Sequence, residues 1–119
     1  MLAPIILFAY NRYEHTRSTI EALGENLLAQ ESDFYIFVDY MNDEQKRAQC
    51  QRLYDYLEAD SWKSKFRQVK VTYAPHHKGL AHSVIDGVSQ IMDEYGKAIV
   101  LEDDIVTIPS FLNIFFTSF

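Results

Sequence analysis

Three consecutive acids, Glu102, Asp103 and Asp104, close the segment Lys97 to Asp104, which reads KAIVLEDD. Carboxylates this close repel one another unless water or a cation screens them. Carboxylate oxygens suit hard divalent cations such as Mg²⁺ or Mn²⁺, which keep part of their water shell and also bind phosphate oxygens. Such a cation stabilises the negative charge that develops on a departing diphosphate. A solvated acidic turn has the same composition, and on spacing alone both readings stand. Further polar groups follow other apolar runs: Asn11 and Arg12 come after PIILFAY, and Asp39 ends FYIFVD. The stretch Ala74 to Gly79 (APHHKG) is a loop by composition and leads into a helical pattern that carries His82.

The elements that must position these groups are legible as patterns. Ala98 to Leu101 is a short apolar run without alternation, the mark of a strand buried on both faces of a parallel sheet. Pro4 to Tyr10 and Phe34 to Asp39 read the same way, with bulky and β-branched residues ahead of a polar end. Phe66 to Tyr73 alternates instead, which predicts a half-exposed strand toward the sheet edge.

Helical periods separate these runs. The first puts Ile20, Leu23 and Leu27 on one face, although Gly24 weakens it by up to about 1 kcal/mol relative to alanine. Asn42 and Asp43 suit the cap of a second helix, whose apolar face is Cys50, Leu53, Tyr54 and Leu57. Leu80, Val84, Val88, Ile91 and Tyr95 form the stripe of a third, ended by Gly96. Thr107 and Pro109 mark the start of a fourth.

The resulting order, β-α-β-α-β-α-β-α, predicts an α/β, Rossmann-like fold with a mostly parallel sheet of about four strands flanked by helices. In such a sheet the loops that follow the strands converge on one edge, where open α/β folds bind ligands. Asn11, Arg12, Asp39 and the acid triplet would then share one crevice. Strand ends are also polar simply because loops are solvated.

A length of 119 residues, with 48% hydrophobic and 14% aromatic content, supports one domain with a real core. The formal charge of −6 opposes general nucleic-acid binding, which needs clustered Lys and Arg. It does not oppose a nucleotide ligand, whose diphosphate a metal or a few placed cations can neutralise. Cys50 is the sole cysteine, which excludes an internal disulfide or a cysteine-based metal site. The longest apolar stretch, Leu2 to Tyr10, is far shorter than the roughly 20 residues of a membrane helix, and no basic leader precedes it. The expectation is a cytoplasmic protein without a transmembrane segment.

Taken together, APIILFAYNR, the strand ending FVD, HHKGLAHSVIDGV and IVLEDDIVTIPSFL resemble the nucleotide-binding half of a GT-A-type glycosyltransferase. The N-acetylglucosaminyltransferase I family is the nearest likeness, since its metal motif is also Glu-Asp-Asp followed by an apolar helix. The family 2 glycosyltransferases are similar in overall layout. The resemblance spans nearly the whole chain and implies one nucleotide-diphospho-sugar-binding domain over residues 1–119, truncated after the metal motif. It implies that Asp104 ligates a divalent metal, Mn²⁺ or Mg²⁺, bridging the phosphates of a nucleotide sugar. Glu102 and Asp103 would face the ribose and the donor sugar, and Asp39 would accept a hydrogen bond from the nucleobase. Arg12, beside Asn11, would approach the phosphates as a planar cation. His82 matches a histidine near the nucleotide, where a surface helix histidine is the plainer reading. Lys78 and Gly79 would bring the loop to the ligand, although a plain turn reads the same. His76 and His77 are loop residues without an assigned partner.

One departure matters. The family takes its acceptor site and its general base from sequence beyond the metal motif. Only 15 residues follow Asp104 here, and none is Asp, Glu or His. The expectation is a donor-binding part of a longer transferase, acting on a nucleotide sugar and a carbohydrate or glycoconjugate acceptor. No residue is assigned as catalytic, and whether this chain is itself an enzyme stays open. A nucleotidyltransferase shares the metal–phosphate logic but usually has a glycine-rich basic loop where this chain has NRYEH. A phosphoacceptor receiver domain wants an acidic pair where Asn11 and Arg12 stand. A non-catalytic module is the remaining alternative. It would act through Phe111 to Phe119, a segment with four phenylalanines and no charge that also favours self-association.

Overall fold

The computed structural model of the chain describes residues 3–10, 12–38, 48, 50–73 and 80–102, with the backbone alone at 80–84 and 102. Among the described residues, four strands and three α-helices alternate. β1 is Ile5–Ala9, α1 Tyr13–Gly24, β2 Asp33–Val38 and α2 Gln51–Glu58; β3 is Gln68–Tyr73, α3 Leu80–Tyr95 and β4 Ile99–Glu102. Every strand pair is parallel, and the strands lie side by side in the order β3-β2-β1-β4. The expected α/β architecture with a parallel sheet is the one observed.

The unbroken apolar runs of β1 and β2 form the centre of this sheet because both faces are covered. β4 is an edge strand, buried at Ile99 and Leu101 but 45% exposed at Val100, so its apolar run did not mark a strand covered on both faces. Ile5, Leu7, Ala9, Phe34, Ile36, Val38, Ile99 and Leu101 point to one side, where Ile20 and Leu23 of α1 and Leu53 and Leu57 of α2 pack on them. Ile6, Phe8 and Tyr35 point to the other side and meet Ile91 of α3, with Val88 and Tyr95 against them. Burying one such aliphatic side chain is worth ~1.5–3 kcal/mol, so a polar residue inside any of these strands would be expensive. β3 is an edge strand; Val69 and Val71 are half-buried and the residues between them are more exposed. Alternation in the sequence reflected that position.

Two local readings differ from the structure. The first helix stops at Gly24, and the chain turns through Ala29–Glu31 before β2, leaving Leu27 72% exposed rather than on the buried face. β2 begins at Asp33, which is buried although charged. Its carboxylate accepts two hydrogen bonds from Arg67, Nε to Oδ1 and Nη2 to Oδ2, each 2.7 Å, and a third from the Tyr95 hydroxyl at 2.9 Å. The Tyr35 and Tyr95 hydroxyls share a further bond of 2.6 Å. This cluster fastens the last turn of α3 to the amino ends of β2 and β3. Gly96 then takes φ +76°, a left-handed conformation that ends α3 and that other residues adopt only at a cost.

Candidate functional site

Strand direction decides which polar groups can meet. β1, β2, β3 and β4 all point the same way, so Ala9, Val38, Tyr73 and Glu102 mark one edge of the sheet. Register makes the alignment close: Phe8 lies level with both Phe37 and Glu102. From β1 the chain winds outward through β2 to β3, then crosses back over the sheet to add β4 on the other side of β1. β1 and β4 therefore flank the point where winding reverses, and in open parallel sheets a crevice forms outside the carboxyl ends there.

Arg12 and Glu102 follow the two strands at that point. Arg12 is exposed, three positions beyond Ala9, and its carbonyl accepts the Thr16 N–H at 2.9 Å in the first turn of α1. Glu102 is the last residue of β4. His82 is the third residue of α3. That helix begins at the same edge. Its end, at Tyr95, reaches Asp33 on the opposite edge, and its midpoint, at Gly87, lies over Phe8 and Phe37, so close that an added Cβ would be 3.1 Å from both. Arg12, Glu102 and His82 are thus brought to one side of the sheet by the backbone. Asn11, Asp39, Lys78, Asp103 and Asp104 lie outside the described residues. So do Asn42, Asp43, His76, His77, Gly79, Thr107, Pro109 and the phenylalanine-rich segment. Asp39 follows Val38 directly in sequence, and Asp103 follows Glu102.

The loop that carries Arg12 is held from α2, which the sequence did not reveal. The Cys50 thiol, fully buried, donates to the Tyr10 carbonyl across 3.9 Å. The Arg52 guanidinium sits 4.3 Å from the centre of the Tyr13 ring, and Tyr56 meets that ring edge-on at 6.2 Å. A cation over an aromatic face contributes about 0.5–1 kcal/mol at such exposed sites. Tyr10 and Tyr13 bracket Arg12, so both contacts fix where α1 starts. Cys50 had been placed on the apolar face of its helix; its thiol proton was the signal that it could also serve as a donor.

Among the described residues no group of three or more His, Cys, Asp or Glu is arranged to hold a metal ion. The acid triplet begins at the end of the described residues, and its donors are carboxylate oxygens alone, a set that fits a hard divalent cation. Away from this edge, a groove of about 750 Å³ runs between α1 and the segment after α2, with Tyr13, Tyr56 and Trp62 in its wall. Its charges are already matched: Arg17 pairs with Glu21 at 2.7 Å and Lys65 with Glu25 at 3.0 Å. These are exposed helix-surface pairs of small energetic value and leave no unmatched charge for a ligand. Among the described residues no helix is long and apolar enough to cross a membrane.

No protein-family model matches the sequence, and no curated protein does. The structure is similar to that of S. aureus TarS, a glycosyltransferase, with a TM-score of 0.68 and 12% sequence identity. The superposition covers 98% of this chain and 19% of that one. The chain thus spans about a fifth of the length of TarS, and at this identity the likeness is one of fold: a glycosyltransferase-like arrangement of sheet and helices.

Proposed function

We propose that the chain is the donor-binding part of a metal-dependent glycosyltransferase of the GT-A type, related to the N-acetylglucosaminyltransferase I family. The donor is a nucleotide-diphosphate sugar, a uridine diphosphate sugar by resemblance. The acceptor is a hydroxyl of a carbohydrate or glycoconjugate. Asp104 holds Mn²⁺ or Mg²⁺ against the diphosphate, and Glu102 and Asp103 contact the ribose and donor sugar. Asp39 accepts from the nucleobase. Arg12 meets the phosphates, with Asn11, Lys78 and His82 around them. The bound cation neutralises the leaving diphosphate.

One observation carries this reading. The strand order β3-β2-β1-β4 puts the ends of β1 and β4 side by side at the reversal of winding, which supports a shared crevice outside those ends. A fold likeness to a glycosyltransferase supports the same reading. Isothermal titration provides the test. With Mn²⁺ present, a uridine diphosphate should bind with measurable heat, EDTA should abolish it, and Asp104→Asn should weaken it tenfold or more, about 1.4 kcal/mol. Absence of heat from every uridine and guanosine nucleotide, in a chain that circular dichroism shows to be folded, would refute the proposal.

A further inference from the structure

α1 starts without an ordinary cap. Arg12 holds its N-cap position at φ −104° and ψ 83°, and no side chain closes the first turn with a hydrogen bond. Ser, Thr, Asp or Asn there would accept from an amide of that turn, whereas a guanidinium has no acceptor to offer. A residue that breaks a local rule is expected at functional sites, with a compensating contact elsewhere.

The compensating contacts come from α2. Tyr13, the first residue of α1, has the Arg52 guanidinium carbon 4.3 Å from its ring centre and the Tyr56 ring edge-on against it. Its hydroxyl accepts from Arg17 Nη1 at 3.0 Å. Arg17 belongs to α1 itself and cannot fix that helix against the rest of the fold. Arg52 and Tyr56 can, because α2 is packed on the sheet through Leu53 and Leu57. Tyr56 is also stacked on the buried Trp62, with 5.8 Å between ring centres and 11° between planes. On the other flank of Arg12, the Tyr10 carbonyl accepts from Cys50, at the start of α2. Among the described residues no carboxylate pairs with Arg52, so the Tyr13 ring is where its charge acts.

Arg12 and Tyr13 share a peptide bond, and their Cα atoms are held about 3.8 Å apart. A shift of the Tyr13 ring therefore moves the backbone from which the Arg12 side chain extends. It also loosens the first turn, in which the Arg12 carbonyl accepts the Thr16 N–H at 2.9 Å.

We propose that Arg52 is a positioning residue for Arg12: by holding the Tyr13 ring, it fixes the helix start from which Arg12 reaches a diphosphate. This role rests on the reading of Arg12 as a phosphate contact and deepens it, adding a residue of another helix that touches no ligand itself.

Two measurements on the full chain test it. The first is isothermal titration of uridine diphosphate with Mn²⁺. Arg52→Ala should weaken binding about two- to fivefold, the size of an exposed cation–π contact. Arg52→Lys, which keeps a cation over the ring, should recover most of that loss, and Arg52→Met should not. In an Arg12→Ala background, Arg52→Ala should cause no further loss, because a positioning residue acts only through the residue it places. The same loss in that background, or wild-type affinity in Arg52→Ala, overturns the proposal.

The second measurement needs no nucleotide. Amide hydrogen exchange at Thr16 should quicken about two- to fivefold in Arg52→Ala. Exchange at Glu25, whose N–H bonds to Glu21 and Ala22 at the far end of α1, should stay unchanged. Unchanged exchange at Thr16, or equal acceleration at both amides, overturns the proposal whatever the nucleotide does. Absence of heat from the wild type removes the phosphate role of Arg12 and this positioning role with it, and the exchange rates then show separately whether Arg52 holds the helix start.

Discussion

Replacing Asp33 by asparagine isolates the polar cluster at the amino edge of the sheet. The wild-type carboxylate accepts three hydrogen bonds, one on Oδ1 from Arg67 and two on Oδ2 from Arg67 and Tyr95. A carboxamide can place its oxygen where Oδ2 lies and keep two of them in neutral form. Its NH₂ then faces the Arg67 Nε–H, donor against donor, and the third is lost. Bonds to charged groups contribute ~1.5–3 kcal/mol and neutral ones ~1 kcal/mol. Arg67 is half exposed and can rehydrate, so the expected loss is discounted to about 1–2 kcal/mol at pH 7.

The pH dependence sharpens the test. The Arg67 guanidinium beside Asp33 holds its carboxyl below the ordinary value of 3.8, against the opposing effect of burial and with help from Tyr95. A depressed carboxyl stabilises the fold above 3.8, and that contribution is lost as pH falls through the folded value. The wild type and Asp33→Asn should therefore differ most near neutrality and converge in acid. Urea unfolding followed by the single tryptophan, Trp62, buried against Phe34 and Phe66, reports the transition at each pH. A difference below about 0.5 kcal/mol at pH 7, or an equal difference at pH 7 and pH 2.5, would show that the cluster does not act as described.

Two glycines should respond for different reasons. A Cβ at Gly87 would sit 3.1 Å from both Phe37 and Phe8, so Gly87→Ala overpacks the joint between α3 and the sheet. The clash outweighs the helix-propensity gain of about 1 kcal/mol, for a net loss of about 1 kcal/mol in thermal or urea unfolding. At Gly96 nothing lies within 4 Å of the added Cβ, so Gly96→Ala costs only the left-handed backbone, about 1 kcal/mol. A stabilised Gly87→Ala would mean that α3 can lift from the sheet freely. Burial pushes the Tyr56 phenol up to about 12, and the Tyr73 and Tyr95 phenols are raised as well, so Tyr56→Phe should remove one of several late-titrating groups from the phenolate absorbance. Arg12→Ala should weaken nucleotide diphosphate binding in titration, whereas Arg12→Lys, which keeps the charge, should weaken it less.

Much of this fold could be read directly because its central strands are buried on both faces. Ile5 to Ala9 and Phe34 to Val38 stand out as apolar runs for that reason, and the alternation of Gln68 to Tyr73 marks an edge, whereas Ile99 to Leu101 is an apolar run at the other edge with Val100 45% exposed. Other features depend on contacts between distant residues. Leu27 continues the spacing of Ile20 and Leu23 arithmetically, but the chain has already left the helix at Gly24, so period alone misplaces it. Asp33 fell outside the strand read as Phe34 to Asp39, since its partner Arg67 is 34 positions away. The donor role of Cys50 depends on the Tyr10 carbonyl, 40 positions earlier. The position of β4 next to β1 was the decisive unknown for the site, since no local pattern fixes strand order.

The two edges of the sheet also bear on whether polar strand ends are merely solvated. Solvation alone would leave both edges alike. At the amino edge β1 follows Ala3 and Pro4, with Ala3 buried, and β4 follows Ala98. Of the charges there, Asp33 and Arg67 satisfy each other, and Glu31 and Lys97 stand two residues ahead of β2 and β4. The residues that follow the strands in sequence are different: Asp39, Glu102, Asp103 and Asp104 are set against Arg12 and Lys78, four acids to two bases. Brought together, such an excess would raise the energy of every carboxylate in it, and a divalent cation would remove that cost more fully than water does. That cost, together with the reversal of winding between β1 and β4, is the physical reason for proposing a metal-assisted phosphate site rather than an ordinary solvated rim.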